Sequence, residues 1–230
     1  MTEPLSVITW KWGTAYTAEH VNVLARMVAR NYNEPHRFVC VTNEPAGLGA
    51  NIEVVPDWAD FAGIQSPHGP TAVSCYRRLR AFHPTVGAVF GPRFVVMDLD
   101  AVVVGALEPL WDRPDPFVIW RDPIHPDGYC GSMFALRAGA RARVWHAFNP
   151  DTSPRWSRGA GFHGSDQGWL RYCLGPDENV WTRQDGVYSF RVDVKARPLP
   201  ADARVVFFHG RTKPWDAAAQ ALPWVREAWR

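Results

Sequence analysis

Phe94-Val95-Val96-Met97-Asp98-Leu99-Asp100 is the stretch whose reading decides the fold. Its four leading residues are apolar without alternation, which fits a strand buried on both faces in the middle of a parallel sheet. The run stops at an acidic residue, and a second acid follows one position later. Ligands of open α/β sheets bind beyond the carboxyl ends of the strands. Two carboxylates at such a place are oxygen ligands of the kind hard divalent cations prefer, and those cations often bridge to substrate phosphates. The plain alternative is an acidic turn that only terminates a strand.

The flanking segments extend the α/β pattern. Leu5–Trp10 reads as a short buried strand. Thr17 suits a helix N-cap, with Glu19 in the first turn. Val21, Leu24, Ala25 and Val28 then fall on one helix face. Residues 37–42 read as a second strand and Ile52–Val55 as a third. Strand, helix, strand is the signature of a right-handed parallel unit. Residues 57–70, rich in Pro, Gly and Asp, predict a loop, and 72–82, with Arg77, Arg78 and Arg80, a helix. Further strands are expected at 117–120, 133–136 and 205–208, and helices at 138–148 and from Ser165 through Leu174. Residues 149–164 read as loop. No repeat or linker divides the chain, so one α/β domain over residues 1–230 is expected, its second half partly wrapped around the first.

Composition excludes several classes. With 230 residues, 47% hydrophobic and 21% charged, the chain suits an ordered globular protein with a sizeable core. A net charge of +2 offers no basic face for nucleic acid. No apolar run approaches the roughly 20 residues of a membrane span. The start of the chain, with Glu3 and Pro4, lacks the pattern of a signal peptide. Cys40, Cys75, Cys130 and Cys173 form no Cys-x-x-Cys pair, so neither structural zinc nor a disulfide framework is supported, and three of them read as buried thiols. The expected location is the cytoplasm or the inner surface of a membrane. The 12 tryptophans fit stacking on sugars and bases as well as they fit a core.

Three more segments carry chemistry. An apolar strand followed by Asp98-x-Asp100 also matches the first motif of haloacid-dehalogenase-type phosphatases, with Asp98 as nucleophile and Asp100 as acid/base. No later acidic pair of the kind those enzymes use follows, which ranks this reading second. Gly164-Ser165-Asp166-Gln167-Gly168 opens a helix, and Asp166 with Gln167 can exchange hydrogen bonds with sugar hydroxyls. Ser165 as a cap and Asp166 at a helix N-terminus would explain the same residues. His209-Gly210-Arg211-Thr212-Lys213-Pro214-Trp215 follows a strand. Histidine is a metal ligand, glycine allows close backbone approach to phosphate, and lysine is a point charge for a diphosphate.

Together these blocks resemble the family 8 glycosyltransferases, the group that contains glycogenin and bacterial galactosyltransferases. Residues 9–16 resemble the strand and loop that hold the nucleobase. Asp98-Leu99-Asp100 resembles the family D-x-D, Gly164–Gly168 its G-D-Q-G block, and Gly210-x-x-Lys213-Pro214-Trp215 its H-x-x-G-x-x-K-P-W block. The resemblance runs from Thr9 to Trp215. It implies a nucleotide-diphospho-sugar transferase domain of the A-type architecture, with a mostly parallel central sheet flanked by helices. It divides that domain into a nucleotide-binding half, residues 1–105, and a sugar- and acceptor-binding half, residues 106–230.

The resemblance also implies a retaining, metal-dependent transfer from a UDP-sugar to a carbohydrate, lipid-linked or protein acceptor. Asp98, Asp100 and His209 would hold manganese or magnesium. Thr9, Trp10, Tyr16, Arg78, Asp98, Leu99, Gly131, Ser132, Gly210 and Lys213 would contact the donor. Asp166, Gln167 and Lys213 would serve the transfer itself. Two departures stand out. The family histidine lies three residues before the glycine, where this chain has Phe207, and His209 sits two positions later on the same strand face. Cys130-Gly131-Ser132 replaces a family segment that reads Asn-Ser-Gly. A binding module that senses nucleotide sugars without transferring them is the non-enzymatic alternative.

Other signals are discounted. Gly159-x-Gly161-x-x-Gly164 spells a dinucleotide motif but follows no strand. His125, His146 and His163 read as loop histidines. The tail 223–230, with Trp224, Trp229, Arg226 and Arg230, is expected to pack on the domain and not on a membrane surface.

Overall fold

The computed structural model describes residues 3–230. Among these residues ten strands form, β1 Leu5–Trp10, β2 His36–Val41, β3 Ile52–Val55, β4 Arg93–Met97, β5 Ala101–Val103, β6 Phe117–Arg121, β7 Tyr129–Arg137, β8 Asn179–Trp181, β9 Val187–Ser189 and β10 Val205–Phe207. Seven make the main sheet, in the order β3-β2-β1-β4-β7-β6-β8. Neighbours run parallel from β3 to β4 and again between β6 and β8. β7 runs against both its neighbours, because the chain returns from β6 through the short link at 122–128 and slots in beside β4.

The apolar run before the acidic pair is therefore the centre of the sheet, as its lack of alternation predicts. Val7, Val95 and Met97 point to one face, while Ile8, Phe94 and Val96 point to the other, and all six are buried. The first face is covered by helix Ala18–Asn31, through Val21, Leu24, Ala25 and Val28, and by a second sheet, β5-β10-β9. Thr17 caps that helix as expected, its amide bonded to His20 Nδ1 at 3.1 Å. The second face is covered by the segment Cys75–Phe82, helix Asp166–Leu174 and the short helix Arg143–His146.

Three expectations need correction. Residues 75–82 wind as a 3-10 helix and not an α-helix. Residues three apart eclipse one another in that geometry. Tyr76, Leu79 and Phe82 thus form a fully buried row, and Arg77 and Arg80 form another that pairs with Asp57 and Asp60. The tighter winding fits this three-residue periodicity better than a 3.6-residue turn does. The helix expected over 138–148 is reduced to Arg143–His146, since Gly139 adopts φ +79° and the chain makes turns first. The loop expected at 149–164 contains helix Ser153–Gly159, started by Pro154 in the first turn, where a missing N–H costs nothing.

The terminal helix Pro223–Ala228 packs on the body of the fold. Val225 is buried there, and Arg30 donates to the carbonyls of Ala228 and Arg230 at 2.6 and 2.8 Å. No helix among the described residues is long and apolar enough to cross a membrane. Cys40, Cys75 and Cys130 are buried free thiols.

Candidate active site

The acidic pair is the hinge between the two sheets. β4 ends at Met97 and β5 begins at Ala101, so the turn Asp98–Asp100 belongs to both. Pairing of Met97 with Met133 brings Ser132 beside the turn, and the Asp98 amide donates to the Ser132 carbonyl at 2.9 Å. On the other side β10 pairs Phe207 with Ala101, and the Phe208 amide donates to the Asp100 carbonyl at 2.8 Å. This register brings the loop 208–213 across to a residue more than a hundred positions earlier.

Each carboxylate then meets one cation. Lys213 Nζ lies 2.6 Å from Asp100 Oδ2 and is steadied by the Phe208 carbonyl at 3.1 Å. Asp100 Oδ1 is buried without a hydrogen-bond partner. Burial pushes the Asp100 pKa up, and the Lys213 ammonium opposes that rise. Arg78 Nη1 lies 2.6 Å from Asp98 Oδ1, and its Nη2 2.7 Å from Asp166 Oδ2. Burial disfavours the guanidinium charge, but Asp166 and Asp98 outweigh it and raise the pKa further. Arg78 also donates to the Gly131 carbonyl at 3.2 Å, and the Gly131 amide donates to Gln167 Oε1 at 3.2 Å. A Cβ at Gly131 would come within 3.0 Å of Arg78 Nη2, so the glycine makes room for the arginine.

This network closes one side of a cavity of about 510 Å³, lined by Trp10, Trp12, Tyr16, Arg78, Asp98, Leu99 and Lys213. Ser66, His68 and Thr71 from the 57–74 loop form its rim. Tyr16 packs edge-on against Trp215, with ring centroids 5.6 Å apart, and Trp215 stacks on His20 at 3.9 Å. Burial, then the charges of Asp100 and Asp98, keeps the Tyr16 phenol protonated. Beyond Gln167 opens a second cavity of about 460 Å³, lined by Asp122, His125, Tyr129, Phe162, His163 and Arg171. His68 of the first rim and His163 of the second stack with centroids 5.4 Å apart.

Of the expected residues, Trp10, Tyr16, Arg78, Asp98, Leu99 and Lys213 line the first cavity, and Gln167 lines the second. Thr9 is fully buried behind the cavity wall. Asp166, almost fully buried, holds Arg78, while Gly131 and Ser132 back the wall. His209 is half-buried, its Nε2 2.7 Å from Ser189 Oγ and its ring edge-on to Trp120. Phe207 stacks on the same tryptophan at 4.7 Å. Burial, then the charge of Arg191, lowers the His209 pKa and keeps the imidazole neutral. Among the described residues no group of three His, Cys, Asp or Glu side chains is gathered to hold a metal. The two carboxylates nonetheless fit a hard cation that completes its shell with phosphate and water, and the unpartnered Asp100 Oδ1 is a free ligand atom for it. His68 and the residues of the second cavity other than Gln167 and Gly168 were not foreseen as site residues. Trp12 lies in the block 9–16 that the resemblance assigns to the nucleobase.

Backbone packing locks the Asp166 end of the network. A Cβ added at Gly168 would collide with the carbonyl oxygen of His163. Gly168→Ala is expected to destabilise the protein by about 3 kcal/mol, read as a lowered thermal midpoint. An unchanged midpoint would contradict this packing.

No sequence-family profile matches the chain, and neither does any curated protein sequence. Solved structures do match. The galactosyltransferase LgtC, crystallised with donor and acceptor sugar analogues, superposes with TM-score 0.65 at 17% identity, covering 96% of this chain and 93% of that one. This chain shares its fold with LgtC. The apo-form glycosyltransferase GlyE of Streptococcus pneumoniae TIGR4 matches with TM-score 0.61 at 11% identity, over 94% of this chain and 57% of GlyE. The bifunctional glycosyltransferase WbbM matches with TM-score 0.61 at 13% identity, over all of this chain and 52% of WbbM. The shared architecture is the α/β sheet flanked by helices that the resemblance implies.

Proposed function

We propose that this chain is a glycosyltransferase of the family 8 type, moving a sugar from a nucleoside diphosphate donor, UDP by the resemblance, to an acceptor hydroxyl. The observation that carries the reading is the acidic pair with one cation on each carboxylate, set at the edge of an aromatic-walled cavity. Trp10, Trp12 and Tyr16 supply apolar surface for a base, and Lys213 and Arg78 supply charge for a diphosphate and sugar. The second cavity, across Gln167 and Gly131, is the place for a carbohydrate, lipid-linked or protein acceptor. Asp98 and Asp100 would hold manganese or magnesium, whose chemistry is to neutralise the departing diphosphate as a Lewis acid.

Lys213 adds charge at the same oxygens when it leaves Asp100 for the diphosphate. Arg78, clamped by Asp166, orients the Asp98 carboxylate. Gln167 fixes the Gly131 backbone between donor and acceptor. Asp98, the carboxylate among the described lining residues of the donor cavity, is held by Arg78, and Asp166 is held there too. That supports an internal-return route, with retention at the anomeric carbon, over a covalent glycosyl-enzyme. The same clamp disfavours Asp98 as a phosphatase nucleophile.

His209 would join Asp98 and Asp100 as a metal ligand in this reading only by turning from Ser189. His209→Ala is then expected to weaken manganese binding about tenfold, measured by competition with a chelating dye in the presence of uridine diphosphate. Unchanged affinity would leave the carboxylates, phosphates and water as the whole ligand set. The activity itself is tested by a hydrolysis screen across nucleotide sugars with and without manganese. Release of uridine diphosphate from one sugar donor supports the enzyme. Tight nucleotide binding with no hydrolysis and no transfer would make the chain a sensing module.

A further inference from the structure

The loop that sends Lys213 to Asp100 also walls a separate hollow of about 350 Å³, and Gly210, expected to contact the donor, lines this hollow and not the donor cavity. Its floor is rigid. Phe190 and Phe208 stack with centroids 4.1 Å apart and planes 12° from parallel, and both are buried. One wall is the turn Phe190–Val194, which winds as a π-helix and closes with the Lys195 amide on the Phe190 carbonyl at 2.8 Å. Such wide single turns are rare and gather at functional sites. Four residues apart is close to one full turn of this winding, so Arg191 and Lys195 line the hollow together. The other wall is Arg211 and Thr212. A Ser189–His209 hydrogen bond of 2.7 Å ties the two walls at their base, and a Cβ on Gly210 would reach 3.4 Å from Arg191 Cδ.

The charge of this hollow is one-sided. Arg191, Lys195 and Arg211 line it, and no carboxylate does. The acid of the same turn, Asp193, faces elsewhere, accepting from the Ser189 amide at 2.8 Å and pairing with Arg183 at 2.7 Å. Three like charges around one hollow repel, and at this spacing salt screens them only in part. An oxyanion relieves that repulsion and accepts charge-assisted hydrogen bonds from two guanidinium groups, an ammonium and the Thr212 hydroxyl.

We propose that this hollow is an anion subsite for a phosphate group. Arg211 lines this hollow and Lys213 the donor cavity, so one loop reaches both.

The test titrates inorganic phosphate into the full chain by calorimetry. The triple variant Arg191→Ala/Lys195→Ala/Arg211→Ala is expected to weaken binding by about tenfold or more, while Lys213→Ala retains the hollow's binding event. All three side chains are exposed, and an unchanged melt confirms folding. Equal phosphate affinity in wild type and triple variant overturns the proposal, and Arg211→Glu alone repeats the test if the triple variant folds poorly. Sedimentation with phosphatidylglycerol vesicles separates the sources. Vesicle binding that the triple variant loses would assign the phosphate to a lipid headgroup, and phosphate binding without vesicle binding would assign it to a soluble ligand. Donor hydrolysis is measured on both proteins as a separate readout of the transferase reading. If neither protein hydrolyses any nucleotide sugar, the transferase reading fails while the phosphate result stands.

Discussion

Asp100→Ala is expected to abolish sugar transfer, lowering kcat/KM by about a thousandfold. Asp100 is the carboxylate through which the two sheets, the Lys213 loop and any bound cation meet. Its Oδ1 has no protein partner, and its Oδ2 holds the lysine at 2.6 Å. Removing it takes away a ligand oxygen and frees Lys213 from its resting position. Breaking a buried pair also costs stability, because the remaining charge is left without compensation. Asp100→Asn separates the two effects. The amide keeps the shape and can still accept from Lys213, but it lacks the charge that attracts a cation. The Asn variant should therefore melt above the Ala variant and remain inactive in manganese. Near-normal turnover in either variant, or full wild-type activity in excess chelator, would remove Asp100 from the chemistry.

Lys213→Met is the second large effect, with kcat expected to fall about a hundredfold. Methionine keeps the apolar stem and deletes the ammonium. Lys213 spans 113 residues to reach Asp100, and its own loop supplies a second partner in the Phe208 carbonyl. A lysine held only for stability would show its loss mainly in the melt. A lysine that meets the diphosphate as charge builds on it would show its loss mainly in turnover. Steady-state rates and thermal midpoints on the same preparation distinguish the two. A lowered midpoint with normal kcat would make Lys213 a structural residue.

The residues explain why some of this was readable in advance. β4 carries a continuous apolar run, β1 and β3 are mostly apolar, and all three appear where local pattern places them. β5, β8 and β9 are three residues each. Strands so short have no period of their own and exist because a long-range partner selects them. The same holds for 75–82, whose 3-10 winding is set by what its rows bury and pair with, not by helix propensity.

At the site, the acidic pair, Arg78 and Lys213 were visible because their residue types announce charge chemistry. Their pairing was not visible. Asp166 reads from sequence as a sugar-binding group, yet Arg78 occupies it across 88 positions, an arrangement that only the folded 3-10 segment creates. His68 and His163 were passed over because a loop residue acquires meaning from the cavity it lines, and each of the two cavities joins segments far apart in the chain.

The central claim is that the cleft over Asp98 and Asp100 binds a nucleoside diphosphate with the help of a cation. Calorimetric titration of uridine diphosphate in manganese tests it most directly, with wild type and Asp98→Asn/Asp100→Asn compared. The account predicts one binding event per chain in the wild type, strongly weakened by chelator and by the double variant. The same affinity in the double variant, or no binding of any nucleoside diphosphate by the wild type, would contradict it.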